Sequence, residues 1–334
     1  MGPASFWFSW FSFTLNPELW SFSLNRHTTS GRWKLGLALV TLTAFMFGID
    51  PIVMNPLFSK LDPITISWYR FTIAGISLGI VSFKRYDLTA PFKLRGKPLL
   101  LLTIAVLGLS GNSVLYTAGL EYSSPNTTQV VIVLAPILLM LGGLVIFKES
   151  FSRRQILGVV VLLVGLALFF DGKYDEILAG SSTLWLGILC VALSAAAWAA
   201  FGLAQKQLLT VLSSRAIIFA VYCLGSILYL LKASPTAAFA LTAIEWGLLG
   251  LAAMVSVISF VSLATALDHL EASRVSVVLG TPPLFTIAAV AILAPLLPDF
   301  VEPEPISLAT AAGIVLVVTG GILASLRPNN HQPG

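Results

Sequence analysis

Two charged residues lie well inside long apolar stretches, and their types allow ionic chemistry. Asp50 lies about seven residues before the end of the first stretch, and Arg70 lies about six residues after the start of the second. In helices, a rise of 1.5 Å per residue would put both side chains about 10 Å below the same surface. The sequence therefore predicts that Asp50 and Arg70 lie at equal depth on consecutive helices and can form an ion pair.

Two interpretations of this pair stay open. In the first, the ion pair locks two helices together. In the second, the Arg70 guanidinium binds a substrate carboxylate or phosphate, for which its planar donor fork is suited. Asp50 would then bind an amine or carry a coupling proton. Charges within apolar spans are costly, so both residues are candidates for function.

Uncharged polar and aromatic residues also lie deep in apolar stretches. Asn112 and Ser259 are 147 residues apart (259 − 112) and take equivalent places in the repeat described below. Tyr116 follows Asn112 by one helical turn and can share its face. Gln129 and Trp198 are further candidates. These five residues are predicted to line a cavity, with interhelical hydrogen bonding or ordinary packing as the alternative.

The composition of the chain indicates which elements carry these residues. Of the 334 residues, 57% are hydrophobic and 10% are charged. Apolar runs of about 20 residues match a hydrocarbon core about 30 Å thick, and a helix satisfies its own backbone there. The sequence predicts an all-α polytopic membrane protein with ten transmembrane helices. The predicted spans are 33–57, 64–83, 98–120, 126–147, 154–171, 183–207, 215–231, 244–267, 273–297 and 307–326.

A pattern of one proline, one glutamate and two glycines occurs twice in the chain. The prolines are 147 residues apart (283 − 136), and the glutamates and glycines are 155 residues apart (304 − 149). Repetition of several residue types at constant separation indicates duplication. The members are Pro136, Glu149, Gly158 and Gly165 in the first copy, and Pro283, Glu304, Gly313 and Gly320 in the second.

Structural roles are expected for these repeated residues. Pro136 and Pro283 each remove a backbone hydrogen bond, so they are predicted to kink their helices. The freed carbonyls could face a cavity, or the kinks could only shape the bundle. The two glycines of each copy are seven residues apart, so they share a helix face and allow close packing. Glutamates in the elbows between helices suit capping or salt bridging.

Basic residues indicate the orientation of the chain. With the N-terminus in the cytoplasm, fifteen lysines and arginines fall on that side, against Lys60, Lys173 and Lys232 on the other. Five spans per copy is an odd number, so the second copy enters the membrane from the opposite face. Inverted repeats of this kind are typical of secondary transporters, which bind substrate near the bilayer midplane between the halves.

The sequence resembles EamA-type members of the drug/metabolite transporter superfamily over about residues 33–326. The resemblance rests on the ten spans, on the repeated pattern, on the pair Arg70-Phe71 and on an aromatic residue beside a small one in the first span of each copy. Those last pairs are Phe47-Gly48 and Trp198-Ala199.

This resemblance implies a carrier of small metabolites, including amino acids, that acts as an exporter or exchanger. Spans 1–4 and 6–9 would line a central cavity, and spans 5 and 10 would lie at the periphery. The predicted organisation of the chain is a cytoplasmic aromatic-rich tail at 1–32, EamA-like five-helix repeats at 33–171 and 183–326, and a cytoplasmic tail at 327–334.

Sequence motifs for other classes of function are absent. The sequence has no phosphate-binding loop ending in Gly-Lys-Ser or Gly-Lys-Thr, no zinc signature and no Gly-x-Ser-x-Gly elbow. Cys190 and Cys223 lie in apolar spans without metal-ligand spacing. We therefore expect neither an enzyme nor a cofactor, metal or nucleic-acid partner.

The expected function is secondary transport across a lipid bilayer, driven by the gradient of the substrate or of protons. One cation and one anion at depth favour an amino acid as the substrate. A sugar phosphate or nucleotide sugar, a channel and a sensor that kept the fold stay open as alternatives. The expected location is a bacterial inner membrane, with an organellar membrane as the alternative, and the oligomeric state stays open.

Overall fold

The computed structural model describes residues 32–82, 87–147, 152–171, 183–270, 275, 278–298, 300–301 and 307–325. Regular structure in these ranges is helical throughout and includes no β-strand, which confirms the predicted all-α fold for this part of the chain. Three short 3-10 helices, Asn55–Ser59, Ala90–Lys93 and Pro235–Ala240, accompany eleven α-helices. These are α1 (Trp33–Met54), α2 (Pro63–Ser82), α3 (Lys97–Glu121), α4 (Pro125–Val131), α5 (Leu134–Phe147), α6 (Arg153–Phe169), α7 (Thr183–Leu208), α8 (Ser214–Leu230), α9 (Ala243–His269), α10 (Pro282–Leu293) and α11 (Leu308–Ser325).

Six helical segments of the described chain are long and apolar enough to cross a membrane, which makes this an integral membrane protein. Three further apolar helices are shorter, at Ser214–Leu230, Pro282–Leu293 and Leu308–Ala324, so the ten-span count stays a prediction. The six segments are Trp33–Ser59, Pro63–Ser82, Lys97–Glu121, Pro125–Gly143, Thr183–Leu208 and Ala243–Leu263.

Local sequence explains where two of the helices begin. Ser152 and Gln155 form a reciprocal capping box at the start of α6, and Thr242 and Glu245 form another at the start of α9. Each box satisfies backbone N–H groups that the first turn of a helix leaves without an acceptor. The second of these helices, α9, carries part of the site described below.

The helices pack in pairs that join the first half of the chain (α1–α6) to the second half (α7–α11). The main pairs are α6 with α11, α3 with α7, α1 with α9, and α2 with α8. Between α6 and α11 the two backbones touch, since a Cβ atom on Gly158 would overlap the backbone of Ala324. A Cβ atom on Gly313 would likewise overlap the backbone of Phe169. Close approach at glycines is a common way to pack membrane helices.

Candidate functional site

The structure brings Asp50 of α1 and Arg70 of α2 together. The Arg70 Nη2 atom lies 2.9 Å from each carboxylate oxygen of Asp50. The side chains of Asp50 and Arg70 are 9% and 10% exposed. Charges this well buried are costly unless they are paired, so each residue stabilises the charge of the other.

Two residues that the sequence analysis missed complete the surroundings of Arg70. Ser256 of α9 places its Oγ atom 2.8 Å from Arg70 Nη2 and 3.2 Å from Nε. Met54, one helical turn after Asp50, places its sulfur 2.8 Å from Arg70 Nη1. Helical spacing was the signal that could have found both, because Met54 shares a face with Asp50 and Ser256 lies three residues before Ser259.

Ser256 makes this site a junction between the two halves of the chain. Its hydroxyl is held by a hydrogen bond to the Ala252 carbonyl, at 3.1 Å, within α9. Its own backbone carbonyl accepts a 3.5 Å hydrogen bond from the Tyr222 hydroxyl of α8. Arg70 of α2 therefore contacts α1 of the first half and α9 of the second, and Ser256 connects this contact to α8.

A second polar cluster lies at the proline of α1. Pro51 has no N–H, so the Phe47 carbonyl lacks its usual intrahelical donor. The Gln129 Nε2 atom of α4 donates to this carbonyl and also to the Tyr116 hydroxyl oxygen of α3, at 3.0 Å. Gln129 is buried. Two of the predicted cavity residues thus lie together, in a cluster that ties α1 to α3 and α4.

Replacing Gln129 by leucine should lower the free energy of unfolding by about 1–3 kcal/mol, because the Phe47 carbonyl, within the membrane-spanning helix α1, loses its side-chain donor. Adding Pro51→Ala supplies an N–H four residues after Phe47 and should recover part of that loss. The measurement is unfolding in detergent of both single variants and the double variant. A double variant no more stable than Gln129→Leu would show that Gln129 acts through some other contact.

Asn112 and Ser259 each take part in a hydrogen bond between the halves. The Asn112 Nδ2 atom of α3 donates to the Ser194 Oγ atom of α7 at 2.8 Å, and Ser194 Oγ lies 3.1 Å from the Asn112 carbonyl. The Ser259 carbonyl of α9 accepts a 3.3 Å hydrogen bond from Thr43 Oγ1 of α1. Both residues therefore join helices of opposite halves.

Aromatic rings extend this region. Phe260 of α9 meets Phe47, Phe201 and Tyr222 edge-to-face, with ring centroids 5.9–6.4 Å apart. Trp198 is half-buried and packs against the neighbouring apolar cluster. Edge-to-face contacts are favourable for such rings. Sequence reasoning named Trp198 and passed over Phe260, since no local feature separates a ring in the core from one facing lipid.

The repeated prolines lie at helix starts. Span 4 is divided into α4 and α5, and Pro136 is the third residue of α5, while Pro283 is the second residue of α10. At these positions a missing N–H costs little, because first-turn N–H groups have no intrahelical acceptor. The Ile132 carbonyl, four residues before Pro136, accepts from the Ala135 N–H at 2.9 Å. The predicted elbow residues Glu149 and Glu304, and residues 1–31 and 326–334 of the tails, lie outside the described residues.

The side chains gathered here suit binding. They offer one cation, one anion, hydroxyl groups and aromatic edges, which are the kinds of group that bind polar or amphipathic small molecules in proteins. In the part of the chain that the structure describes, no group of three or more His, Cys, Asp or Glu side chains could hold a metal ion.

Comparison with known proteins gives a family match over both halves. The model of the EamA-like transporter family matches residues 34–171 and 185–326. The chain is 31% identical to the "Uncharacterized inner membrane transporter YhbE" of Escherichia coli (strain K12) over 294 residues, which are 87% of this chain and 91% of that protein. It is 32% identical to an "Uncharacterized transporter" of Haemophilus influenzae over 294 residues, 87% of this chain and 95% of that protein.

A solved crystal structure shares the fold. It superposes with a TM-score of 0.58 at 17% sequence identity and covers 89% of this chain and 97% of that one. The helical architecture, the apolar membrane-spanning segments and the match over both halves agree, and they confirm the resemblance found in the sequence. The chain is a membrane protein of the EamA-like transporter family.

Proposed function

We propose that this protein is a secondary transporter that moves a small metabolite by alternating access between two inverted five-helix repeats. The observation that carries the proposal is a buried ion pair, Asp50–Arg70, held by Ser256 at the junction of the two halves. An amino acid is the favoured substrate, since its carboxylate and ammonium groups match one cation and one anion. Export or exchange is the expected mode.

Equivalent contacts in the two halves support the inverted repeat. The first and sixth spans are offset by 151 residues, so Thr43 corresponds to Ser194. The third and eighth spans are offset by 147 residues, so Asn112 corresponds to Ser259. The bond from Thr43 Oγ1 to the Ser259 backbone carbonyl and the bond from Ser194 Oγ to the Asn112 backbone carbonyl are thus two versions of one contact. Two copies of one unit related by a twofold axis in the membrane plane would produce this exchange.

The glycine contacts follow the same rule. Gly158 approaches Ala324, and a shift of 155 residues turns this contact into the approach of Gly313 to Phe169. Gly165 approaches Val317, and the same shift gives the approach of Gly320 to Leu162. These contacts require α6 and α11 to be antiparallel, as spans 5 and 10 of an inverted repeat are.

The ionic site itself breaks this symmetry. Under the same shifts Asp50 corresponds to Phe201, and Arg70 falls near Phe219 or Ala220. Asp50 and Arg70 are the buried charged residues of the described chain. Duplication therefore explains the repeated helix contacts but not the two charges, for which we propose a functional reason. A single buried cation favours an amino acid over a sugar phosphate or nucleotide sugar as the substrate.

Hydrogen bonds between the two halves lie on the face that carries Lys60. The Lys60 Nζ atom lies 2.7 Å from Glu245 Oε2, and the Tyr69 hydroxyl donates to the Pro235 carbonyl at 2.8 Å. Access from this face requires these bonds to break, as an alternating-access cycle would do. From the distribution of basic residues we propose that this face lies outside and that both termini lie in the cytoplasm. An inner membrane agrees with the printed name of the Escherichia coli relative.

Counterflow in proteoliposomes tests the proposal. Vesicles loaded with one unlabelled amino acid should take up the same amino acid in labelled form above its equilibrium level, and empty vesicles should not. A panel of amino acids identifies the substrate, and a pH gradient shows whether protons are coupled. If no amino acid gives counterflow, amino acids are excluded as substrates, and sugar phosphates would then be tried. If sugar phosphates give no counterflow either, the result would favour a channel or a sensor.

A further inference from the structure

The donors of Arg70 are used unevenly. Its Nε and Nη2 atoms reach oxygen acceptors, Ser256 Oγ and the Asp50 carboxylate. Both Asp50 oxygens take their 2.9 Å contacts from the one nitrogen Nη2, so the ion pair does not use the two-nitrogen fork. The Nη1 atom faces the Met54 sulfur, at 2.8 Å. A thioether is a weak acceptor, so this edge of the guanidinium has the poorest partner.

Met54 is suited to be a removable partner. The side chain is fully buried, at 0% exposure, beside the apolar residues Leu57, Leu61 and Ile66. Methionine is unbranched and has three side-chain torsions, so it repacks more readily than leucine or isoleucine. It is also the last residue of α1 and directly precedes the 3-10 segment Asn55–Ser59, where the helix geometry changes.

We propose that Met54 is a displaceable cap on an anion subsite, and that the carboxylate of the substrate replaces the Met54 sulfur at Arg70 Nη1. Asp50 keeps Nη2, so the guanidinium binds two carboxylates at once, one from the protein and one from the substrate. This inference rests on the proposed function and adds to it a residue that determines specificity. It predicts selection for a carboxylate and rejection of the matching amine.

The chemistry of the side chain accounts for methionine at this position. Leucine would leave Nη1 without an acceptor in the empty carrier, and an unsatisfied buried charge donor is costly. Glutamine would offer an amide oxygen, a strong acceptor that a substrate carboxylate would have to displace. A thioether satisfies the donor in part and gives way to a carboxylate, because charge-assisted hydrogen bonds are about twice as strong as neutral ones.

The test compares Met54→Gln with Met54→Leu, two side chains of similar size to methionine. In counterflow, Met54→Gln should raise the half-saturating concentration of the amino acid about tenfold or more, the effect of losing one hydrogen bond to a charged group. Met54→Leu should lower it, because leucine offers Nη1 no acceptor that the substrate carboxylate has to displace. If Met54 only fills space, both variants will bind the amino acid equally well, and the proposal is overturned.

A second measurement does not depend on the transported substrate. The chain has five methionines, and methionine labelled with ¹³C at the methyl group gives a resonance for Met54 that Met54→Leu removes. Titration with sodium acetate should shift this resonance, and acetamide, its neutral isostere, should not. A resonance that acetate leaves unchanged in folded protein overturns the anion subsite. If amino acids give no counterflow but acetate still shifts the Met54 resonance, the results would reject amino-acid transport and support the anion subsite.

Discussion

Replacing Arg70 by alanine should abolish counterflow and lower the free energy of unfolding by about 3–5 kcal/mol. The loss of stability follows because Asp50 would stay buried with no opposite charge, and breaking one side of a buried ion pair costs this much. The loss of transport follows because the substrate would lose its cation. Unfolding in detergent and counterflow in liposomes measure the two effects separately.

The double variant Asp50→Ala/Arg70→Ala is the matched control. Removing both charges leaves no uncompensated ion, so stability should return to within about 1–2 kcal/mol of the unmodified protein. Transport should not return if Arg70 binds the substrate. Recovery of transport along with stability would assign the pair to the scaffold and contradict the proposed site.

Substitution of Gly158 by alanine should lower the free energy of unfolding by about 3 kcal/mol, at the upper end for overpacking. The added methyl group would overlap the backbone of Ala324 and Leu323, and a backbone cannot move aside as a flexible side chain can. The symmetry-related change Gly313→Ala should match it, since its methyl would overlap the backbone of Phe169. Unfolding in detergent is the measurement.

Gly247→Ala is the control for this prediction. Gly247 also lies within a helix, α9, and nothing lies within 4 Å of the place its Cβ would take. Alanine there should be neutral or stabilise the protein by up to about 1 kcal/mol, from its higher helix propensity. Equal effects at Gly158 and Gly247 would mean that α6 and α11 do not touch as closely as the structure places them.

Much of the fold could be predicted from the sequence, because in a membrane the secondary structure of a segment depends mainly on its own composition. Long apolar runs must form helices in lipid, whatever they pack against, and the all-α fold followed from that. Depth is also local, since a constant rise per residue places Asp50 and Arg70 at one level before any packing is known. The repeated residues likewise identified the family, which the comparisons confirmed.

The tertiary structure decided which side chains meet. In a membrane protein the faces turned to lipid and to other helices are both apolar, so hydropathy does not tell them apart. Ser256 and Met54 were therefore overlooked, although each sits one turn from a residue that was named. The bond from Gln129 to the Phe47 carbonyl needed the position of α4 against α1, which no local pattern contains.

The sequence by itself determined the lipid surroundings, the helices and the family, while the duplication and the equal depth of the two charges stay predictions. All of these depend on composition, on spacing and on the fixed geometry of a helix. Only the tertiary structure decided that Arg70 donates hydrogen bonds to Asp50, Ser256 and Met54, because these residues come from α1 and α9, which are far apart in the chain. Such contacts depend on how helices rotate against one another, and that rotation is determined by the packing of the whole bundle.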